Sequence, residues 1–219
     1  GWLKLVHRVL DKRITRQLVG PQARPFFLVP LQVHCDAQIT HHSPYESMEP
    51  FIREVIASFA KHAPADTWLV LKHHPLDRPY TDFGPLIKEL VREHKLEGRV
   101  HYVHEAYLPA LLRHARGTVT VNSTVGLSSI HHNTPVKILG DAVYDIPGLA
   151  STRSLDTFWR RPGKVNRELY MAFRHYLVRH VLGNGNFYRR VCKNKGPTGV
   201  AWPFGSISAA SDPARYRAT

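Results

Sequence analysis

The stretch LQVHCD, residues 31–36, decides the fold class, because a short apolar run ends there and polar residues begin. The run itself, residues 26–31, follows Pro25 and has the length and composition of a buried β-strand. A buried strand with a polar continuation is typical of α/β proteins, in which ligands bind beyond the carboxyl ends of parallel strands.

Two further apolar runs end in the same way. Residues 68–71 lead into KHHP, residues 72–75, and residues 118–121 lead into NSTVG, residues 122–126. Because the carboxyl ends of parallel strands lie together at one edge of a sheet, we expect these polar segments to meet. The sequence therefore predicts an acid, a histidine and an anion-binding turn at one edge.

Strand and helix patterns alternate through the middle of the chain. Strands are also predicted at 100–103 and 136–139, and helices at 48–62, 85–94, 108–114, 125–132, 154–159 and 165–182. This alternation implies right-handed crossovers and a parallel sheet that is covered on both faces. We predict an α/β fold, namely a Rossmann-like, doubly wound parallel sheet.

Three regions are predicted along the chain. Residues 1–24 are basic and weakly periodic, and we interpret them as a linker or arm. Residues 25–188 form the Rossmann-like domain with its C-terminal helices. Residues 189–219 are rich in Gly, Pro and Ser without periodicity, which predicts a disordered tail. Since the chain starts at Gly1 without an initiator Met, we expect it to be a fragment.

Composition limits the partners and the compartment. The 219 residues carry a formal net charge of +13 and 15 further histidines, which favours anionic partners without identifying them. No apolar run approaches the roughly 20 residues that a membrane-spanning helix needs. The two cysteines, Cys35 and Cys192, are far apart and indicate a reducing compartment. A cytoplasmic protein is expected.

Asp36 is the first candidate for chemistry, because it directly follows a predicted strand. Its carboxylate could act as a nucleophile, as a general base or as a ligand for a sugar hydroxyl. Alternatively, it is an acid that caps the loop through an Asx-turn. Gln32, on the strand itself, could orient Asp36 or could be an ordinary amide at the sheet edge.

His74 precedes Pro75, which favours extended backbone at His74 and removes the next amide donor. A histidine held in this way could donate a proton or a hydrogen bond to a leaving phosphate. Alternatively, it is a surface histidine in a loop. Lys72 could neutralise phosphate charge or could simply be a solvated lysine.

The segment NSTVG, residues 122–126, is a turn from a strand into a helix. Its amides and hydroxyls favour an anion. The segment matches neither a Walker loop nor a G-x-G-x-x-G motif. Alternatively, Ser123 or Thr124 is an ordinary helix N-cap.

Other functional classes have weaker support. The histidine pairs at 41–42, 73–74 and 131–132 lack the H-x-x-x-H or H-E-x-x-H spacing of metal sites, so no metal is predicted. No G-x-S-x-G motif indicates a serine hydrolase. The basic helix near Arg174 could bind nucleic acid, but no known nucleic-acid-binding motif accompanies it, and we predict no such partner.

Taken together, the motifs resemble those of the capsular polysaccharide Kdo transferases of the KpsS and KpsC type, also named LipB. The resemblance covers about 26–188. It rests on the Gln32 to Gln38 segment, the His-Pro motif in KHHPLD at 72–77, and the Asn122 to Gly126 turn. The later segments at 134–140, 144–149 and 154–159 resemble the KpsS branch.

The resemblance implies the nucleotide-sugar-binding half of a GT-B glycosyltransferase. The implied enzyme is a retaining β-Kdo transferase that takes Kdo from CMP-Kdo and transfers it to a phosphatidylglycerol-based lipid. It would need no cofactor or metal, and it would act as a cytoplasmic, peripheral protein on the inner face of the bacterial inner membrane. A capsule assembly or export complex is a further implied partner.

The resemblance also implies residue roles. Asp36 would be the nucleophile, His74 would bind or protonate the leaving phosphate, and Gln32 would belong to the catalytic set. The donor would be bound by the following residues: Lys72, His73, Asn122, Ser123, Thr124 and Gly126. Two alternatives remain, namely a non-catalytic sugar-nucleotide-binding or scaffold subunit of a capsule assembly complex, and a basic nucleic-acid-binding domain.

Overall fold

The computed structural model describes residues 11–12, 14–20, 23–77 and 80–181. The chain divides into two compact units, Gly1–Tyr170 and Met171–Thr219. All strands, and every side-chain contact described below, belong to the first unit. The predicted tail at 189–219 lies outside the described residues.

The first unit is built on a five-stranded parallel sheet. Its strands are β1 (Phe26–Pro30), β2 (Trp68–Lys72), β3 (Val100–Val103), β4 (Gly117–Thr120) and β5 (Val136–Ile138). Their spatial order is β3-β2-β1-β4-β5, and every pair is parallel. The order reverses between β1 and β4, which is the position where doubly wound sheets bind ligands. The predicted α/β fold with a parallel, doubly wound sheet is confirmed.

Successive residues of β1 point to opposite faces of the sheet, and all five are buried. Phe27 and Val29 belong to one apolar cluster, and Phe26 and Leu28 to the other. On the first face, Phe27 packs against Trp159 with ring centroids 4.9 Å apart. The sheet is therefore covered on both sides, which explains why β1 is apolar at every position rather than at alternate ones.

The helices connect and cover the strands. They are α1 (Ala37–His41), α2 (Met48–His62), α3 (Gly84–Glu93), α4 (Leu108–His114), α5 (Val125–His131) and α6 (Leu155–Phe158). The last described helix, α7 (Arg167–His180), begins in the first unit and ends in the second. A 3-10 turn, Pro75–Asp77, follows β2. Helices α2, α3 and α6 contribute to the cluster with Phe27, and α4 contributes to the cluster with Phe26. In the part of the chain that is described, no helix combines the length and the apolar character needed to cross a membrane.

Two short elements were not predicted from the sequence, and part of the predicted linker or arm is helical. Helix α1 and the 3-10 turn at Pro75–Asp77 lie in stretches where the sequence predicts no helix. Within the predicted linker or arm at 1–24, residues 11–12 and 14–19 are helical. Leu18 in this segment is fully buried, and the carboxylate of Asp11 accepts a hydrogen bond of 2.7 Å from the His104 N–H. This part of the segment therefore packs on the domain.

Candidate active site at the carboxyl edge of the sheet

A cavity of about 580 Å³ lies at the carboxyl edge of the sheet, where the strand order reverses. The loops after β1, β2, β4 and β5 all contribute to it. Its lining includes most of the predicted catalytic and phosphate-binding residues, namely Gln32, Asp36, His74, Asn122, Ser123 and Thr124. Three polar segments that are far apart in the sequence therefore meet at one edge.

Asp36 is held by two hydrogen bonds at the start of α1. Its Oδ2 accepts from Gln32 Nε2 at 2.9 Å, and its Oδ1 accepts from the Gln38 N–H at 3.0 Å. The second bond makes Asp36 the N-cap of α1, which is the capping role that we had considered as an alternative. An ionised carboxylate has about four lone-pair sites, so both roles are compatible with a further contact in the cavity.

Gln32 and Asn122 form a buried amide pair beneath Asp36. Gln32 Nε2 donates to Asn122 Oδ1 at 3.0 Å, and the Asn122 N–H donates back to Gln32 Oε1 at 3.2 Å. Asn122 Nδ2 also donates to the carbonyls of Gln38 and His42, at 2.7 and 3.0 Å. Its amide is therefore fully engaged in joining the β4 turn to α1. Asn122 lines the cavity but mainly supports its wall.

His74 presents one defined nitrogen to a ligand. The Leu76 N–H donates to His74 Nδ1 at 3.2 Å, so Nδ1 acts as an acceptor and the proton of the neutral ring sits on Nε2. Burial is the largest effect on this ring, and it lowers the pKa of His74. Asp77 and Asp36 act in the opposite direction, and Lys72 lowers the pKa further. His74 is thus a neutral Nε2–H donor around neutral pH.

The turn before α5 is shaped by Tyr144. The Tyr144 hydroxyl donates to the Ser123 carbonyl, and burial raises the pKa of that phenol. A Cβ at Gly126 would lie 2.2 Å from the Tyr144 hydroxyl oxygen, so only glycine allows this approach. Gly126 is buried and does not line the cavity. It supports the turn from behind, whereas Ser123 and Thr124 face the cavity.

Lys72 and His73 line a neighbouring cavity of about 500 Å³ instead. Lys72 Nζ donates to the His104 carbonyl at 3.2 Å, and His73 Nδ1 lies 2.5 Å from the Tyr102 hydroxyl. Both side chains are buried. His74 lines both cavities, so the two adjoin at this residue.

The charge of the first cavity differs from that of the chain as a whole. Its described lining contains two carboxylates, Asp36 and Asp141, two histidines, His42 and His74, and neither lysine nor arginine. The net charge of +13 therefore lies elsewhere on the chain, with Lys72 in the adjoining cavity. An anion in the first cavity would be held by hydroxyls and a neutral imidazole.

A second acid, Asp77, was not assigned a role from the sequence. It is fully buried, and it accepts hydrogen bonds from the backbone N–H and Nδ1 of His34 and from the Thr81 hydroxyl. Burial alone would raise the pKa of the Asp77 carboxyl, but these hydrogen bonds outweigh burial and its pKa is lowered. The signal for Asp77 in the sequence is its place in the KHHPLD segment at 72–77. The signal for Tyr144 is its place in the segment at 144–149, which also resembles the family.

The histidine and carboxylate side chains near the cavities are also potential metal ligands. Within the described ranges, no group of three or more His, Cys, Asp or Glu side chains is placed to hold a metal ion. The absence of a metal cofactor stays a prediction.

Similar folds occur among solved structures. KpsC of Thermosulfurimonas dismutans, described as a beta Kdo 2,7 transferase, gives a TM-score of 0.45 at 18% identity, over 78% of this chain and 62% of that chain. Anabaena Alr3699/HepE, solved in complex with UDP-glucose, gives a TM-score of 0.40 at 16% identity, over 58% of this chain and 33% of that chain.

Curated relatives are much more similar in sequence. The capsule polysaccharide modification protein LipB of Neisseria meningitidis serogroup A is 45% identical over 189 residues, which is 86% of this chain and 45% of that protein. The capsule polysaccharide export protein KpsS of Escherichia coli is 40% identical over 187 residues, which is 85% of this chain and 48% of that protein. The chain thus spans about half the length of these relatives.

The family described as capsule polysaccharide biosynthesis protein matches residues 3–188. This match covers most of the chain and includes every element of the sheet and the whole lining of the cavity. The resemblance carried by the three strand-end motifs is thereby confirmed, and the chain belongs to the capsule polysaccharide biosynthesis protein family.

Proposed function

We propose that this chain is the donor-binding half of a GT-B glycosyltransferase, a retaining β-Kdo transferase that uses CMP-Kdo. The observation that carries the proposal is the meeting of Asp36, His74, Ser123 and Thr124 around one cavity. Such a site combines a carboxylate nucleophile with donors for a leaving phosphate. Family membership and the capsule-related relatives support a role in capsule polysaccharide biosynthesis.

The first proposed step forms a covalent intermediate. A carboxylate oxygen of Asp36 attacks the anomeric carbon of Kdo, and the bond from that carbon to the phosphate oxygen breaks. CMP leaves with the electron pair. Gln32 and the Gln38 N–H support this step because they fix the direction of the carboxylate. In the second step, an acceptor hydroxyl attacks the same carbon and its proton passes to solvent. The bond from that carbon to the Asp36 oxygen breaks and its electron pair returns to the carboxylate, so that two inversions give net retention.

His74 would stabilise the departing phosphate. Its Nε2–H is the free ring donor, since Nδ1 already accepts from the Leu76 N–H. A neutral donor of this kind lowers the energy of the leaving group through a hydrogen bond, without a full proton transfer. The hydroxyls of Ser123 and Thr124 supply further donors on the same wall of the cavity.

The adjoining cavity suits the nucleoside part of the donor. It meets the first cavity at His74, so a phosphate bound there can join a sugar on one side to a nucleoside on the other. Lys72 and His73 line this second cavity, which supports the proposal that both residues bind the donor. Lys72 brings a positive charge to the lining of this cavity, which also contains Glu105.

The acceptor and the location follow from the family resemblance. We propose a phosphatidylglycerol-based lipid acceptor and a peripheral position on the cytoplasmic face of the inner membrane. A net charge of +13 favours attraction to that anionic surface. A capsule assembly or export complex is the corresponding protein partner.

Intact-protein mass spectrometry with CMP-Kdo and no acceptor tests the proposal. We expect the full-length protein that contains this chain to gain the mass of one Kdo, and Asp36→Ala to gain none. Asp36→Asn keeps the size of the side chain and serves as the matched variant. Calorimetry with CMP separates the alternative, because a non-catalytic sugar-nucleotide-binding subunit would bind CMP yet form no adduct. Transfer by Asp36→Ala near the wild-type rate would exclude Asp36 as the nucleophile.

A further inference from the structure

Asp77 connects the two loops that carry the proposed catalytic residues. It lies in the 3-10 turn directly after His74, and its side chain reaches the loop after β1, two residues before Asp36. There it accepts from both the backbone N–H and the Nδ1 of His34. A single buried carboxylate therefore joins loops that are 43 residues apart in the sequence.

The link continues to His74 through the backbone of the turn. The Asp77 N–H donates to the His74 carbonyl at 3.0 Å, and the neighbouring Leu76 N–H holds the His74 ring through Nδ1. On the far side, the Asp77 carbonyl accepts from the Thr81 N–H at 3.1 Å, and the Thr81 hydroxyl donates to Asp77 Oδ2. The turn is thus anchored at both ends around Asp77, and the orientation of the His74 ring depends on it.

The same link fixes the loop that carries Asp36. The Asp36 N–H donates to the Val33 carbonyl at 3.0 Å, so a tight turn runs from Val33 to Asp36 with His34 inside it. The His34 ring also lies against the Tyr80 ring, with centroids 5.3 Å apart. Because His34 does not line either cavity, its contacts serve the loop and not a ligand.

We propose that Asp77 is a positioning residue, which holds the Asp36 loop and the His74 turn at a fixed separation and orientation. The inference rests on the proposed function of Asp36 and His74. A second observation supports it. Among the charged groups that act on His74, Asp77 has the largest effect on the pKa of the imidazole and raises it, whereas Lys72 lowers it. Asp77 therefore affects both the direction and the protonation of that imidazole.

The test compares Asp77→Asn with Asp82→Asn in the full-length protein. Both substitutions remove one negative charge from the same loop, but Asp82 is exposed, and among the described residues its carboxylate accepts from the Gly84 N–H. In the wild type, ¹⁵N NMR of histidine should show His74 as the Nε2–H tautomer. We expect Asp77→Asn to lose this fixed tautomer, to lower the His74 pKa, and to slow Kdo-adduct formation about 10²-fold. Asp82→Asn should change none of these.

A milder pair keeps the test informative if Asp77→Asn does not fold. His34→Ala removes the ring donor to Asp77, whereas His34→Asn keeps an N–H at a similar position. We expect His34→Ala to slow adduct formation and His34→Asn to restore most of the rate. A folded Asp77→Asn with an unchanged His74 tautomer and pKa would overturn the positioning role. The NMR arm needs no turnover, so it separates this outcome from a failure of the transferase proposal.

Discussion

Gln32 Nε2 lies 2.9 Å from Asp36 Oδ2, and the same nitrogen lies 3.0 Å from Asn122 Oδ1. One buried amide thus joins the proposed nucleophile to the turn that begins the proposed phosphate site. Gln32 is only 4% exposed, so water cannot replace these bonds without a rearrangement. The direction of the Asp36 carboxylate is therefore set from the core side and not by solvent.

The first prediction concerns Gln32→Met, which keeps the volume of the side chain and removes its polar atoms. It leaves the Asn122 N–H and Oδ1 without their partner, and each unsatisfied buried group costs about 1–3 kcal/mol. We expect the free energy of unfolding to fall by at least about 2 kcal/mol in urea titrations, and adduct formation to slow.

Gln38→Ala is the matched control for this prediction. Gln38 contacts Asp36 only through its backbone N–H, and its side chain is exposed. Because the Gln38 side chain also lines the cavity, this variant is a control for stability alone, which should stay at the wild-type level. Equal losses of stability from Gln32→Met and Gln38→Ala would show that the buried amide does not hold Asp36 and Asn122 together.

Much of this fold can be predicted from the apolar runs and from the proline and glycine residues that end them. The predicted strand at 26–31 is Phe26–Pro30, and the predicted helix at 48–62 is Met48–His62. Buried parallel strands carry a strong signal because both faces are apolar. Helix α1 was missed, because five residues with a single buried side chain, Ile39, give no period to detect. The sequence signal for the start of α1 was Asp36, its N-cap, but the structural alternative given for Asp36 was a cap of a loop and not of a helix.

The site could be predicted only in part, for a geometric reason. The rule that strand ends meet brings Asp36, His74 and Ser123 together without any knowledge of side-chain directions. It does not tell which of two adjoining cavities a side chain enters, so Lys72 and His73 were grouped with Asp36 although they line the other cavity. Likewise, Gly126 was predicted to bind the donor, whereas it lies behind the turn against Tyr144, and donor binding by Gly126 stays a prediction.

The second prediction concerns the charge state of His74. Burial lowers its pKa, so less than half of the His74 rings should be protonated at pH 6.5, where an ordinary histidine is about half protonated. Because the folded pKa lies below the unfolded one, the unfolded state takes up the proton first as the pH falls. The contribution of His74 to stability is thus present above about pH 6.5 and declines below it. Histidine NMR across pH 5–8 would contradict this if half or more of the His74 rings were protonated at pH 6.5.

The third prediction separates a donor role of His74 from its bulk. His74→Gln can place an amide N–H near the position of Nε2, whereas His74→Ala cannot. We expect His74→Ala to weaken CMP binding by about tenfold, which corresponds to one lost hydrogen bond of about 1.4 kcal/mol, and His74→Gln to retain most of the affinity. Calorimetry on the full-length protein measures both. Equal losses in the two variants would mean that the imidazole acts through something other than its N–H.

The fourth prediction tests the contact between Gly126 and Tyr144. In Gly126→Ala, the new methyl group would meet the Tyr144 hydroxyl oxygen at 2.2 Å and its ring carbons at 2.6 Å. Tyr144 is buried and cannot move away freely, so we expect a loss of about 1–3 kcal/mol of stability from overpacking. Gly126→Ala combined with Tyr144→Ala should lose less than the sum of the two single changes. Strict additivity in urea titrations would show that the two residues are not coupled.

The last prediction concerns the acid stability that Asp77 provides. Hydrogen bonds from Thr81 and His34 lower the pKa of its carboxyl, in spite of burial. A carboxyl whose folded pKa is depressed stabilises the fold above its unfolded pKa, about 3.9, and loses this contribution as the pH falls through the folded value.

Asp77→Asn carries no charge at any pH. The difference in unfolding free energy between wild type and Asp77→Asn should therefore shrink as the pH falls below about 4, relative to its value at pH 5. Urea titrations at pH 3, 4, 5 and 7 measure this difference, with Asp82→Asn as the control for an exposed acid of the same loop. A difference that stays constant down to pH 3 would show that the ionised form of Asp77 does not hold the two loops together.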